Sequence, residues 1–341
     1  MNAMMQREIE AQATLLPELQ PQLAEAADRL PRAAGRIFAG GCGDSAFAPQ
    51  ALQDVFRAIG VDVEAKTSME IAAFATLKAT DTVLLSSISG GTKRTVDAAK
   101  AARAAGAEVI AITCNGESAL AAAASHTIVL PFTPLSRKTP HTLDYAVTLL
   151  ALGEIARSFA GLDRTVLACE AADLQERLAA SDERARGLAA TYKPAGKLVL
   201  LGAGCDLGTA NYAAAKFHEA GGLLALSAET ENFIHGMNFM LEPDDTLIAL
   251  ASTTAAEPRA RTVTEAFSGI CQTHLVFEIG GDLNPAGAFR RLLSQTFTMQ
   301  LLCLAIADQQ MLSVEEPRAG RANADAHAKA QSQAMAFSAE G

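Results

Sequence analysis

Two glycine turns, Gly41-Cys42-Gly43-Asp44 and Gly202-Ala203-Gly204-Cys205, each follow a short apolar run and each open a helix-like one, 161 residues apart. A strand that ends in such a turn and feeds a helix is the repeating unit of a parallel sheet, because parallel neighbours need a crossover to return the chain. Its recurrence at matched positions marks an internal duplication. Around the first turn, Ile37-Phe38-Ala39, Val61-Asp62-Val63, Val83-Leu84-Leu85, Val109 to Ile112 and Thr127 to Leu130 alternate with Ala-rich helical runs. Around the second, Lys197 to Leu201, Thr246 to Leu250 and Leu275-Val276-Phe277 repeat the rhythm. The pattern predicts an α/β chain with two doubly wound parallel-sheet domains in tandem.

The 341 residues suffice for two such domains. Residues 1–30 have apolar positions at helical spacing (Ile9, Leu15, Leu16, Leu19, Leu23, Leu30) interrupted by Pro17 and Pro21, so an irregular helical arm is expected there. Residues 31–160 form the first domain. Residues 161–195, charged and helical in character, read as a connector closed by the turn Lys193-Pro194-Ala195-Gly196. Residues 196–315 form the second domain, and 316–341 are a tail that is either frayed or folded over a site.

Half of the residues are hydrophobic and 19% are charged, which excludes a disordered or fibrous chain. The formal charge of −10 argues against a nucleic-acid surface. No apolar run approaches the ~20 residues that span a bilayer, and the first 30 residues do not read as a signal peptide, so a cytoplasmic protein is expected. Six scattered cysteines without a CxxC pair suggest neither a zinc cluster nor a disulfide framework. Cys42 and Cys205 read as small turn residues, and no cofactor or metal is expected.

The chemistry concentrates in turns. Ser86-Ser87-Ile88-Ser89-Gly90-Gly91-Thr92 follows a strand-like run and opens a helix-like one. Hydroxyls and unpaired amides at a helix N-terminus favour an anion, and a phosphate suits them. The turn at Gly41 to Ser45 can converge on the same ligand. In the second half Asp206 replaces Ser45, and Ala251-Ser252-Thr253-Thr254-Ala255-Ala256 replaces the serine and glycine turn. A carboxylate repels a phosphate, so one anion cradle per chain is expected, in the first half. The spacing Gly41-x-Gly43-x-x-Ala46 also fits a dinucleotide fingerprint. That reading gives Ser45 and the turn at 87–95 no task.

His218-Glu219 ends a helix-like run, and Glu229-Thr230-Glu231-Asn232-Phe233-Ile234-His235-Gly236 follows a short apolar strand. These groups can supply a base and an acid near neutral pH. Metal ligation by Glu231 and His235 lacks a third ligand at useful spacing, and exposed acids capping a helix are the bland alternative. Arg137-Lys138-Thr139 and His141-Thr142 fall at the C-terminal edge of the sheet, where they either contact substrate or cap the helix at 142–158.

The chain resembles the tandem sugar-isomerase (SIS) family, which includes the isomerase half of glucosamine-6-phosphate synthase and sugar-phosphate deaminases and deglycases. The resemblance rests on Cys42-Gly43-Asp44-Ser45, Ser87 to Thr92, Gly106 to Thr113, Lys216-Phe217-His218-Glu219, Glu231 to Gly236 and Pro317-Arg318. It implies two flavodoxin-like domains and a phosphosugar held by Gly43, Ser45, Ser87, Ser89 and Thr92, with Lys138 and Thr139 beside it. It implies that Glu219 moves the proton between C1 and C2 and that His235, supplied by a partner subunit, helps open the ring; Glu231 is expected to join them as a catalytic residue. A homodimer with composite sites follows. The glutamine often found between the two serines of the phosphate turn is Ile88 here, and Arg321 and Ala322 stand where the synthase has its lysine. The expected function is isomerisation or deamination of a sugar 6-phosphate or amino-sugar 6-phosphate. An Amadori (fructosamine 6-phosphate) deglycase and a sugar-phosphate sensor are the alternatives.

Overall fold

The computed structural model describes residues 2–278 and 284–336. Helix α1 (Ala3–Asp28) precedes β1 (Ile37–Gly41), α2 (Asp44–Ala51), α3 (Gln53–Ile59), β2 (Val63–Thr67), α4 (Ser68–Ala73), β3 (Thr82–Ser86), α5 (Lys93–Ala104), β4 (Glu108–Thr113), α6 (Ala119–Ala123), β5 (His126–Val129) and α7 (Leu143–Phe159). Helix α8 (Ala171–Ala189) leads to β6 (Leu198–Gly202), α9 (Cys205–Glu219), β7 (Ala225–Glu229), α10 (Thr230–Ile234), β8 (Thr246–Ala251), α11 (Glu257–Phe267), β9 (Gln272–Phe277), α12 (Pro285–Gln309) and α13 (Ala324–Ala336).

Both sheets are parallel throughout, in the orders β2-β1-β3-β4-β5 and β7-β6-β8-β9. The central strands β1, β3, β6 and β8 are buried along their whole length, which explains why they read as unbroken apolar runs. In the first sheet the chain passes from β1 to β2 on one side and returns to β3 on the other, so the order reverses between β1 and β3. Their carboxyl ends open a crevice at that switch point, and both hydroxyl-bearing turns stand at its mouth.

The N-terminal segment is one continuous helix, with Pro17 and Pro21 inside it, rather than the interrupted arm expected from its prolines. Each proline forfeits a backbone bond and costs about 3 kcal/mol. Against that, Met5, Ile9, Leu16, Leu19 and Leu23 are buried in one core with α7 and α12, and each such side chain contributes about 1.5–3 kcal/mol. Burial outweighs the missing bonds. That core runs from Met5 to Val314 and joins the two halves. Strand β2 also starts later than Val61, because Gly60 ends α3 at φ +85° and the amides of Gly60 and Val61 both turn back to the Phe56 carbonyl.

The halves meet where α2 crosses α9. A Cβ on Gly208 would lie 2.2 Å from the Ala51 amide nitrogen, so only glycine lets the helices approach this closely. Gly208→Val is expected to destabilise the chain by about 1–3 kcal/mol or more through forced separation. A denaturant midpoint unchanged from wild type would contradict that reading.

Candidate active site

The switch-point crevice widens into a cleft of about 1330 Å³ bounded by both halves of the chain. The turns after β1 and β3 form one wall (Gly43, Ser45, Ser87, Ser89, Thr92). The loop from β5 to α7 supplies Arg137, Lys138, Thr139 and His141, and the end of α9 supplies His218 and Glu219. Pro317 and Arg318 line it too, as does α13 through Asp325, His327, Gln331 and Met335. The described part of the tail is therefore helical and folded over the cleft. Its last five residues lie outside the described ones.

The turn after β3 is built to present donors. Gly90 has φ +65°, and a Cβ there would lie 2.0 Å from Ser118 Oγ, so the chain can pass only as glycine. Ser87 Oγ and Thr92 Oγ1 are 3.0 Å apart, and Ser89 Oγ accepts from the Gly91 amide at 3.2 Å. Thr92 is the N-cap of α5, yet its side chain caps no amide of that helix. Gly43 caps α2 in the same way at φ +57°, with nothing within 4 Å of where a Cβ would be. Two helix N-termini thus face one crevice with donors available to an anion.

Opposite stands an ion triad that bridges the halves. Lys216, completely buried, donates to Asp44 Oδ2 and to Glu219 Oε2, both at 2.6 Å. Its Nζ lies 5.2 Å from the centre of the Tyr212 ring, which stacks on Tyr145 at 3.7 Å. Burial opposes the lysine charge, but Asp44 and Glu219 more than offset it and its pKa is raised. Burial pushes the Asp44 carboxyl up as well, with the Glu219 charge adding to it and Lys216 opposing. Five buried atoms of cleft-lining residues have no protein partner among the described residues: Asp44 Oδ1, Ser86 Oγ, Asp144 Oδ1, Tyr145 Oη and Arg318 Nε.

The second cradle differs as its sequence suggests. Asp206 is buried and its Oδ2 accepts the Ser252 amide at 3.1 Å, so the chain's own carboxylate takes the turn after β8. Burial raises its pKa and pushes the neighbouring Cys205 thiol up to about 12, which leaves that cysteine inert.

Of the residues singled out in the sequence, Gly43, Ser45, Ser87, Ser89, Thr92, Lys138, Thr139 and Glu219 line one cleft. Glu231 and His235 do not line it within this chain. Arg259 grips Glu231 through two bonds of 2.5 and 3.0 Å, and His235 lies exposed in the turn after α10. Thr139 reaches the cleft, but its hydroxyl donates to Glu8 Oε2 at 2.8 Å. Glu8 also accepts the Ser136 amide at 3.0 Å and the Thr142 hydroxyl at 3.3 Å, pinning the loop to α1. Burial raises the Glu8 pKa, its hydrogen bonds opposing. Neither Glu8 nor the Asp44–Lys216 pair was foreseen. The one trace of Glu8 in the sequence is an acid between Met5 and Ile9 on the apolar face of its helix.

Residues 32–154 match the SIS domain model. No curated protein sequence matches the chain. Among solved structures, glucosamine-6-phosphate deaminase from Thermotoga maritima is similar over 93% of this chain and 98% of its own, at TM-score 0.76 and 17% identity. Tagatose-6-phosphate ketose/aldose isomerase from Escherichia coli is similar over 92% and 95%, at TM-score 0.75 and 17% identity. The C-terminal domain of glucosamine-fructose-6-phosphate aminotransferase from Francisella tularensis covers 91% and 97%, at TM-score 0.73 and 14% identity. Among the described residues no helix is long and apolar enough to cross a membrane. Residues 32–154 are thus similar to the SIS domain, and the two parallel sheets together have the tandem SIS fold.

Proposed function

We propose that the chain is an enzyme that transfers a proton between C1 and C2 of a sugar 6-phosphate or amino-sugar 6-phosphate, through an enediol or enediolamine. The observation that carries this reading is one cleft with an anion cradle on one wall and a lysine-held carboxylate, Glu219, on another. Ser45, Ser87, Ser89, Thr92 and the amides opening α2 and α5 grip the phosphate. That contact, remote from the reacting carbons, fixes the sugar for reaction. Glu219 is the base above the exchanged hydrogen, and Lys216 orients it. The named solved structures act on sugar phosphates or belong to enzymes that do, which agrees with this substrate class.

A homodimer completes the site in this reading. His235 lies in an exposed turn of one protomer, beside Phe239, which is 89% exposed. An aromatic side chain so placed suits a subunit contact that carries His235 toward the partner's cleft.

The cleft favours a second reading of the same chemistry. Its volume exceeds the ~300–1,000 Å³ of an ordinary small-molecule pocket, and Arg137, Lys138 and Arg318 line it. A fructosamine 6-phosphate, with an amino-acid arm ending in a carboxylate, would use that room.

A panel of hexose, hexosamine and fructosamine 6-phosphates separates these outcomes. A true ligand at 100 times its Kd stabilises the fold by about 2.7 kcal/mol. Deuterium entering C1 or C2 in heavy water marks the isomerase, ammonia release the deaminase and amino-acid release the deglycase. Stabilisation by a 6-phosphate with no exchange and no product from any member would replace the enzyme with a sensor.

A further inference from the structure

The cleft holds a second titratable pair to which the proton transfer at C1 and C2 gives no task. His141 ends the loop after β5, and its Nδ1 lies 2.5 Å from Asp144 Oδ2 in the first turn of α7. Asp144 is buried, whereas the His141 side chain is 45% exposed and lines the cleft. A carboxylate behind Nδ1 fixes the ring, so Nε2 is the nitrogen left for a ligand. The backbone around it is held as firmly: the His141 carbonyl accepts from Tyr212 Oη at 2.9 Å, and Glu8 pins Ser136, Thr139 and Thr142.

Other candidate proton donors in the cleft are committed elsewhere. Lys216 is buried between two carboxylates, and His218 Nε2 lies 2.7 Å from the Ala225 carbonyl. His327 stands on the exposed face of α13 with no buried carboxylate holding it among the described residues. The charged groups acting on His141 are Asp144 from α7, Asp44 from α2 and Lys216 from α9, with Arg137 and Lys138 in its own loop. The bond to Asp144 raises the imidazole pKa, burial and Lys216 oppose, and Asp44 adds to the rise.

We propose that His141, held by Asp144, is the acid that protonates the ring oxygen when the bound sugar phosphate opens, acting from the same chain that holds the phosphate. This rests on the phosphosugar reading above. Proton transfer between C1 and C2 needs the open-chain carbonyl, and cyclic sugars must first break the bond from the anomeric carbon to the ring oxygen. His141 Nε2–H gives its proton to that oxygen, which keeps the electron pair of the breaking bond, while the N–H pair stays on the imidazole. The anomeric hydroxyl yields its proton to Glu219, and its O–H electrons become the second bond of the carbonyl. Charge is conserved, an imidazolium and a carboxylate becoming an imidazole and a carboxylic acid. Both side chains are partly exposed and regain their starting forms by exchange with water.

The test compares cyclising and non-cyclising substrates in the full-length protein. Fructose and tagatose 6-phosphate are assayed, and the faster is paired with its 5-deoxy analogue, which lacks the hydroxyl that closes the ring. His141→Gln is expected to lose about 10²-fold in kcat/KM on the cyclising sugar and to retain most of its rate on the analogue. Asp144→Asn is expected to move the alkaline fall of kcat/KM to lower pH, because the bond that raises the imidazole pKa is weakened. Both variants should keep the wild-type thermal shift with inorganic phosphate, which separates the chemical loss from misfolding. Equal loss on both sugars, or loss on neither, overturns the assignment while leaving the proposed function standing. Loss confined to the cyclising sugar in His235→Gln rather than His141→Gln gives the role to the partner subunit and also overturns it. A wild-type protein that converts neither ketose overturns this inference, and the proposed function falls with it only if the hexosamine and fructosamine 6-phosphates are inert as well.

Discussion

Glu219→Gln is expected to lower turnover by about 10²–10⁴-fold while leaving the Kd for the phosphorylated sugar within a few fold of wild type. Glutamine keeps the size of the side chain and can still accept the Lys216 bond now made to Oε2, but it cannot take a proton from carbon. The proposed phosphate cradle belongs to other elements, the starts of α2 and α5, so binding should survive. Single-turnover exchange at C2 alongside a thermal-shift titration measures both. Equal loss of binding and turnover would show that Glu219 holds the substrate rather than reacts with it.

Lys216→Met has the largest expected effect on stability. The methionine fills similar space but leaves Asp44 facing Glu219 with no cation between them. Asp44 is mostly buried but Glu219 is 45% exposed, so the cost falls at or below the about 3–5 kcal/mol of a fully buried pair at neutral pH. The sign of its pH dependence follows from Asp44, whose carboxyl burial already pushes up and which would rise further without the lysine. A group whose folded pKa lies above its unfolded value favours the fold at low pH and loses that contribution as the pH rises through the folded pKa. The penalty should therefore be greatest near pH 7 and shrink as the pH falls toward the unfolded carboxyl value of about 3.9. Urea midpoints at pH 7 and pH 5 report this. A penalty that grew on acidification would mean that Asp44 is ionised and otherwise satisfied in the variant.

What the sequence revealed and what it hid divide along the range of the interactions. The strands were legible because β1, β3, β6 and β8 are buried on both faces and so written as continuous apolar runs. The hydroxyl-lined wall of the cleft was legible because its residues are local: Ser87, Ser89 and Thr92 lie within one turn, and Gly43 and Ser45 within another. Asp206 in place of Ser45 argued against a second phosphate cradle, and the structure adds that its carboxylate accepts the Ser252 amide after β8. The prolines of α1 misled because their penalty is local while the compensation, packing against α7 and α12, is not.

The remaining features join residues far apart in the chain. Lys216 reaches Asp44 across 172 positions, and Glu8 reaches Thr139 across 131. No spacing rule encodes such pairs. His141 and Thr142 read equally as substrate contacts or helix caps. Thr142 makes no side-chain cap to α7 and gives its hydroxyl to Glu8, while His141 pairs with Asp144 and lines the cleft. Glu231 and His235 read as partners of Glu219 from their sequence pattern, yet within one chain Arg259 holds the former and the latter faces outward.

The central claim is that one anion cradle in the first half grips the phosphate of a sugar whose reacting carbons lie beside Glu219. A crystal structure with a hexose 6-phosphate bound tests it most directly. The account predicts phosphate oxygens within about 3 Å of the Ser45, Ser87, Ser89 and Thr92 hydroxyls, with C1 and C2 facing the Glu219 carboxylate. A phosphate lodged against Arg137, Lys138 or Arg318, with those four hydroxyls out of contact, would contradict it.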